Sequence, residues 1–424
     1  MKKKILSIFT ILALILVNSG CSGSPELTPV PDVALIPFTP PPAPLTPAPA
    51  PAVSITTLPG GTVGVPGIPW AWGSKGATGL GDGKAADSKI PVPLSSLSGV
   101  VDIAAGYLHV LALKSDGSVW AWGLNSEGQL GDGTKINRNT PVQVSVLTGV
   151  KAITAGKEHS LALKADGTVW AWGGHALIFS LLGNGVYNNA DVLIPVQVNG
   201  LTGVTAVAAG NEHSLALKSD GTVWAWGGNY YGQLGIGSNA VGAVPVQSAV
   251  PVQVSGLTGV KAIAASSQHS LALKTDETVW AWGYNYYGQL GYSPSGGSAV
   301  PVPVSGVTGV KAIAAGKGHS LAVKSDGTVW AWGHNNDGQL GDNTVVSRQV
   351  PAQVSGLTGV TAVAAGQSHS LALKSDGTVW AWGYNYYGQL GDNTTTNRRV
   401  PVQVSGLTGV TAIAGKNFHS LALK

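Results

Sequence analysis

The sequence has 424 residues, of which 24 are Lys or Arg and 20 are Asp or Glu, giving a formal net charge of +4. Three of the lysines lie at residues 2–4, and the rest of the chain is nearly neutral. It lacks the basic runs of a nucleic-acid surface, so no nucleic-acid partner is expected. Cys21 is the only cysteine, which excludes an intramolecular disulfide and a cysteine-based metal site.

The amino-terminal end has the pattern of an export signal. Lysines at 2–4 precede an apolar run at 5–17, which at 13 residues is too short for a spanning helix. Small residues precede Cys21, and the segment resembles bacterial lipoprotein signals, in which this Cys becomes the lipid-modified first residue. Three residues before Cys21, where such signals usually carry Leu or a similar apolar residue, this sequence has Asn18. The alternative is ordinary cleavage near Cys21, which would leave a free thiol. We predict a signal peptide at 1–21, secretion, and a lipid anchor at Cys21 in a bacterial cell envelope.

A segment rich in Pro, Ala and Thr follows, and we assign it to residues 22–66. It contains Pro40-Pro41-Pro42 and alternating Pro and Ala at 47–51. Such a composition lacks the apolar density of a core and is typical of an extended, semi-rigid spacer. A proline-rich recognition ligand is the alternative.

From residue 67 onward the chain is built from one repeat, best seen as His-Ser-Leu-Ala-Leu-Lys-x-Asp-Gly-Thr-Val-Trp-Ala-Trp-Gly at 369–383. The His recurs seven times, at His109, His159, His213, His269, His319, His369 and His419. Trp-Ala-Trp-Gly also occurs seven times and accounts for all 14 tryptophans, beginning at Trp70, Trp120, Trp170, Trp224, Trp280, Trp330 and Trp380. A period near fifty residues with strand-like content predicts a propeller or another repeat array.

Each unit contains four strand-like segments, which in the last complete unit are 360–365, 369–374, 378–382 and 400–404. Asp-Gly between the second and third segments is a strong hairpin signal, because both residues tolerate positive φ. Glu277 replaces the Gly in one unit, so we expect that turn to be built differently. Alternation along single strands predicts one bulky face (Leu371 with Leu373, Trp380 with Trp382) and one small-residue face per sheet, so that sheets stack bulky face on small face.

The two ends of the repeat region complement each other. It opens at Trp70 on a third strand and ends at Lys424 on a second strand. A closed ring needs the two half-units to complete one blade and so remove free edges, whereas an open solenoid has no such requirement. Chance truncation would give the same ends. We predict an all-β, seven-bladed propeller of four-stranded blades over 67–424, closed by amino- and carboxyl-terminal half-blades.

The repeat resembles a known family. Residues 364–374, 376–383 and the Gly-Gln-Leu-Gly-Asp at 388–392 are similar to the regulator of chromosome condensation repeat. The resemblance implies a seven-bladed β-propeller. It also implies diverse functions: nucleotide exchange on a nuclear GTPase, light sensing, and, in secreted bacterial members, inhibition of β-lactamases by one rim. No catalytic residue carries over, and placing every Trp in the repeat core argues against light sensing.

The repeated His, Ser and Asp residues do not suggest an active site. One His per blade spreads the seven around a ring, too far apart to share a metal ion, so each is expected to bond backbone within its own blade. Ser follows His on a strand, which points the two side chains to opposite faces. The Gly-rich 128–133 lacks the Lys of a phosphate loop. We therefore predict no catalytic residue, no cofactor and no metal.

The loops that follow Trp-Ala-Trp-Gly are the predicted binding region, because tyrosine is concentrated in them and is frequent at protein-binding hot spots. The predicted protein-binding residues, all on one rim, are Phe179, Tyr230, Tyr231, Tyr284, Tyr286, Tyr287, His334, Tyr384, Tyr386 and Tyr387. The alternative is that these tyrosines fill seams between blades. We predict a monomer that binds a protein or peptide of unknown identity. A structural or adhesive surface protein, or an enzyme of unknown type, are the alternative functions.

Overall fold

The computed structural model describes residues 66–76, 80–84, 86–174, 181–186, 191–237, 247–292 and 296–424. The predicted signal peptide with Cys21, the predicted linker except its last residue, and Phe179 lie outside the described residues. No helix in the described part of the chain is long and apolar enough to cross a membrane.

In the described part of the chain, twenty-eight strands form seven four-stranded antiparallel sheets, the blades of a propeller. The strands that begin the chain are β1(Pro69–Gly73) and β2(Ser88–Pro93). Blades 1 to 3 follow as β3(Val100–Ala105), β4(His109–Lys114), β5(Val119–Gly123), β6(Arg138–Gln143); β7(Val150–Ala155), β8(His159–Lys164), β9(Val169–Gly173), β10(Val192–Gln197); and β11(Val204–Ala209), β12(His213–Lys218), β13(Val223–Gly228), β14(Gln247–Gln253). Blades 4 to 6 are β15(Val260–Ala265), β16(His269–Lys274), β17(Val279–Gly283), β18(Ser298–Pro303); β19(Val310–Ala315), β20(His319–Lys324), β21(Val329–Gly333), β22(Arg348–Gln353); and β23(Val360–Ala365), β24(His369–Lys374), β25(Val379–Gly383), β26(Arg398–Gln403). The chain ends with β27(Ala412–Lys416) and β28(His419–Leu423).

The ring is closed by a seventh blade made from both ends of the chain, as predicted. Its sheet order is β2-β1-β28-β27, and β1 pairs antiparallel with β28 from Pro69 opposite Leu423 to Gly73 opposite His419. The amide of Ile68 donates to the carbonyl of Lys424 at 2.7 Å. We call this the closing blade.

The Asp-Gly hairpins join the second and third strands of each blade. Asp376 Oδ1 accepts from the amide and hydroxyl of Thr378 at 2.9 and 2.6 Å, and Gly377 has a φ of 75°. The expectation of a different turn at Glu277 is wrong, because Glu277 adopts the same left-handed conformation with a φ of 65°. A side chain in this region costs roughly 1–2 kcal/mol relative to Gly.

The packing of blades differs from the predicted bulky and small faces. Leu371 lies opposite Ala381 and Ala372 opposite Trp380 in the register of β24 and β25. Directly opposite residues of antiparallel strands share a face, so each face carries large residues on one strand and small ones on the next. Leu371 and Ala381 therefore pack against Trp72 of the closing blade in one hydrophobic cluster.

The two tryptophans of each blade have different surroundings, which the sequence did not distinguish. The second, such as Trp382, is completely buried, and its Nε1 donates to the Gln339 carbonyl of the preceding blade at 2.9 Å. The first, such as Trp380, is half-buried with the Lys374 ammonium 5.7 Å from its ring centroid. The same Lys–Trp pair occurs in all seven blades.

The antiparallel order gives the ring two unlike rims. Connections between first and second strands and between third and fourth strands share one rim, which we call the loop rim. The Asp-Gly hairpins and the connections between blades share the other, the turn rim. The chain enters β1 on the turn rim, next to Lys424.

Candidate functional site

A belt of buried His and Ser side chains joins neighbouring blades beneath the loop rim. Nε2 of His369 lies 2.9 Å from Oγ of Ser420, on the next blade. Ser420 Oγ donates to the carbonyl of Gln389 at 2.8 Å, so the imidazole Nε2–H is the donor to Ser. Six such pairs occur, each 2.9–3.0 Å: His109–Ser160, His159–Ser214, His213–Ser270, His269–Ser320, His319–Ser370 and His369–Ser420. The predicted bond to backbone in the same blade is wrong, because the partner lies on the next blade.

These pairs are not arranged for catalysis. The His and Ser side chains of all six pairs are buried, and the Ser hydroxyl proton is already committed to the Gln carbonyl where that bond is seen. Burial lowers the pKa of each of these six histidines to about 3, which keeps the imidazoles neutral. Within the described residues, no group of three or more His, Cys, Asp or Glu is placed to hold a metal ion. The belt is a set of structural clamps.

The loop between the third and fourth strands of blade 6 is internally braced, and that of blade 4 shares two of its bonds, from the amide of Leu290 to Asn285 and from that of Tyr287 to Gln289. In blade 6, Asn385 Oδ1 accepts from the amide of Leu390 at 2.9 Å, and Asn385 Nδ2 donates to Asp392 Oδ1 at 3.0 Å. The Gln389 side chain accepts from the amide of Tyr387 at 3.0 Å. The Gln389 carbonyl receives Trp72 Nε1 at 2.9 Å, which ties the loop to the next blade. Side chains at the loop tip are therefore presented from a fixed backbone.

Six predicted rim residues form one continuous aromatic cluster across blades 3, 4 and 5. Neighbouring ring centroids are 4.4–6.3 Å apart in the order Tyr230, Tyr231, Tyr284, Tyr286, Tyr287 and His334. We call this the first aromatic cluster. Tyr286 is 71% exposed and Tyr230 55%, whereas Tyr231 and Tyr284 are half-buried supports. His334 is half-buried, and its Nδ1 lies 2.8 Å from Gln339 Nε2.

The other three tyrosines predicted to lie on the rim form a second aromatic cluster, on blade 6 and the closing blade. Tyr384, Tyr386 and Tyr387 lie with ring centroids 5.1–6.5 Å apart, and Tyr386 is 66% exposed. Phe418 joins them, at 5.6 Å from Tyr384 and 5.1 Å from Tyr387. Phe418 is not among the residues predicted from the sequence, although it stands where the preceding repeat has Ser368.

The tyrosines of the two clusters divide into half-buried and exposed members. Tyr284 and Tyr384 fill positions between loops, and burial raises the pKa of each phenol. Tyr286 and Tyr386 lie at equivalent loop tips and project into solvent. Asp337, on the loop between the two clusters, accepts from Asn397 Nδ2 at 3.4 Å and supplies a carboxylate beside them.

The comparisons with known proteins agree with this architecture. The RCC1-like domain pattern matches residues 180–424, and the regulator of chromosome condensation (RCC1) repeat pattern matches 67–113 and 116–163. The chain is 34% identical over 117 residues, 27% of its length, to the ultraviolet-B receptor UVR8 of Arabidopsis thaliana, of which it spans 25%. It is 42% identical over 105 residues, 24% of its length, to the probable E3 ubiquitin-protein ligase HERC6 of Homo sapiens, of which it spans 10%.

Solved structures of the same shape cover nearly the whole ring. Prp20p of Saccharomyces cerevisiae superposes with a TM-score of 0.76 at 24% identity, covering 87% of this chain and 92% of that one. Human WBSCR16 superposes with a TM-score of 0.73 at 25% identity, covering 84% and 98%. The sequence pattern spans more than half of the chain and the fold is a closed ring of seven blades. The protein therefore belongs to the family of RCC1-like domain proteins.

Proposed function

We propose that the protein is a binding module, not an enzyme, that holds a protein or peptide partner on its loop rim through the two aromatic clusters. The observation that carries this proposal is the exposure of Tyr286 and Tyr386, at 71% and 66%, on braced loops. Tyr supplies a large amphipathic contact area at a low cost in side-chain entropy.

The form of the clusters supports a macromolecular partner. The exposed rings of Tyr230, Tyr286 and Tyr386 lie on blades 3, 4 and 6 of the same rim, and the loop of blade 5 lies between the last two. Each exposed ring contacts a half-buried one, as Tyr286 contacts Tyr284 with ring centroids 6.3 Å apart. This support limits the rotamers of the exposed rings and lowers the entropy lost when a partner covers them.

The structural neighbours support one feature of this proposal, which is that the ligand is a protein. Prp20p is described with binding properties to Gsp1p and histones, and a second structure shows Kap60 bound to the same yeast protein. We carry over to this chain the idea of a protein partner and none of those identities.

The proposal extends to location. An export signal at 1–21 and lipidation of Cys21 would tether the protein to a membrane of the bacterial envelope. The first described strand, β1, begins on the turn rim, and the aromatic clusters lie on the loop rim. Mass spectrometry of the mature amino terminus tests the anchor: a diacylated or triacylated Cys21 supports it, and an unmodified thiol rejects it.

Site-specific photo-crosslinking tests the rim. A photoreactive residue at Tyr286, and in a second protein at Tyr386, is expected to capture the same envelope protein. The matched control is Ile136, which is 60% exposed in the equivalent loop of blade 1 and belongs to neither cluster. Capture from Ile136 alone, or equal capture from all three positions, would reject the aromatic clusters as the binding surface.

A further inference from the structure

The channel through the ring is lined by the first strands of the blades. Their inward residues are mostly alanines, and together they line a partly open chamber with a volume of about 90 Å³. Residues that break the alanine pattern are Lys416, Gly415 and Thr154, and all three line this chamber. Three departures from a sevenfold repeat at one place indicate a specific role for that place.

Lys416 replaces a residue that is otherwise small. The equivalent position is Gly in five blades and Ser266 in one. At Gly366 a Cβ would collide with the imidazole of His369, so a side chain at this position requires a local shift; Ser266 is accommodated with its hydroxyl 2.7 Å from Nδ1 of His269. The closing blade avoids the collision with a different turn: β27 continues to pair Lys416 with His419, and Asn417 has a φ of 48°. The local fold is thus altered in a way that accommodates a lysine at the channel.

The Lys416 side chain crosses the channel near the loop rim. Its Nζ donates to the carbonyl of Ala209 at 2.8 Å and to that of Ala155 at 3.1 Å, on blades 3 and 2. An ammonium has three N–H groups, so one remains for a further acceptor. Thr154, beside Ala155, accepts from the Ala209 amide at 3.3 Å through Oγ1 and retains its hydroxyl proton as a second donor.

This charge has only neutral partners in the described part of the chain. Burial lowers the pKa of Lys416 to about 8, and no carboxylate acts in the opposite direction. The neighbouring His109, His159 and His213 are neutral at pH 7, with pKa values of about 3. A partly buried ammonium without a counter-charge carries a desolvation cost, and an anion in contact with it recovers part of that cost.

We propose that the chamber is a binding site for a small monocarboxylate, held by the Lys416 ammonium and the Thr154 hydroxyl. On the measure by which one water molecule needs roughly 10–15 Å³, the chamber's volume of about 90 Å³ has room for an acetate-sized group. The alanine walls suit the short apolar part of such a ligand. This site does not depend on the aromatic clusters, and it can be tested without the protein partner.

The test is an NMR titration of full-length protein with ¹³C-labelled lysine, using acetate as the probe and acetamide as its neutral analogue of equal size. Acetate is expected to shift the Lys416 Cε resonance in a saturable way and to raise the pKa of Lys416 from about 8. Acetamide is expected to do neither. Equal shifts with both probes, or no saturable shift with acetate, would overturn the proposal, and this result requires no variant.

Variants give an independent readout. Acetate is expected to raise the Tm of the wild-type protein and to have at least a tenfold weaker effect on Lys416→Met. The control is Lys317→Met, which removes a cation at the mouth of the channel but outside the chamber. An acetate effect that persists in Lys416→Met, or disappears equally in Lys317→Met, would contradict a site centred on Lys416.

Discussion

His419 and Val110 line the same small cavity at the seam between the closing blade and blade 1. Val110 occupies the position at which the other six blades carry the Ser that receives a His from the preceding blade. Within the described residues, the buried Nε2 of His419 consequently has no hydrogen-bond partner. The seam that joins the two ends of the chain therefore lacks the clamp that closes the other six.

A double-mutant cycle measures what one clamp contributes. Removing His269 and Ser320 singly and together, as alanine variants, is expected to give a coupling free energy of about 0.5–1.5 kcal/mol in urea unfolding, because the pair shares one buried hydrogen bond. The same cycle on His419 and Val110 is expected to give a coupling near zero. Equal coupling at both seams would contradict the difference between them.

Acid should unfold the ring through its histidines. Burial lowers the pKa of His269 and five others from 6.5 to about 3, and that of His419 to about 4. Between these pKa values and pH 6.5, the unfolded chain binds more protons than the folded one. The contribution of these histidines to the free energy of unfolding is therefore fully present above pH 6.5 and is lost as the pH is lowered. The slope is about 1.4 kcal/mol per pH unit for each His that remains neutral in the folded state.

Proton uptake on unfolding at pH 5 checks this directly. Potentiometry on thermal or urea unfolding is expected to find about one proton taken up for each belt histidine. Replacing His269 with Gln should remove about one of them. Unfolding without proton uptake at pH 5 would show that the histidines are already charged in the folded ring.

The two tryptophans of a blade should differ in their effect on stability. Trp382→Ala leaves a void in a fully buried cluster and is expected to cost about 3–5 kcal/mol. Trp380→Ala removes a half-buried ring beneath Lys374 and is expected to cost less than half as much. Urea unfolding of both variants, with equal m-values as the control for a common unfolded state, decides the order. Equal losses would be inconsistent with the packing of the blades.

The hairpin at Glu277 offers a reciprocal exchange. Glu277→Gly relieves a left-handed side chain and is expected to stabilise the protein by about 0.5–1 kcal/mol. Gly327→Glu, at the equivalent turn with a φ of 80°, is expected to destabilise it by about 1–2 kcal/mol. A destabilised Glu277→Gly protein would mean that the carboxylate has a role that the turn geometry does not reveal.

The repeat pattern made the ring predictable from the sequence. The contacts between repeats could not be predicted in the same way. The complementary ends at Trp70 and Lys424 predicted the closing blade, because they follow from strand order alone. The His–Ser clamps join residues about fifty positions apart on different sheets, which alternation within one strand cannot relate. The predicted faces failed for the same reason, since the register between β24 and β25 sets Leu371 against Ala381.

For the candidate sites too, the sequence indicated where to look, but the contacts between loops and blades required the structure. Tyrosine concentration located the loop rim, but which rings are exposed depends on how neighbouring loops meet, as with Tyr284 and Tyr286. Phe418 and Lys416 were visible as departures when residues 415–418 are aligned with 365–368. Their consequence, an aromatic neighbour for Tyr387 and an ammonium across the channel, required coordinates.

The dissociation constant of the cross-linked partner, measured by calorimetry, tests the proposed binding surface most directly. Tyr286→Ala and Tyr386→Ala are each expected to weaken binding at least tenfold, about 1.4 kcal/mol or more, while Ile136→Ala leaves it unchanged. Unfolding curves of the three variants provide the control for intact folding. Wild-type affinity in both tyrosine variants would contradict a partner held by the aromatic clusters.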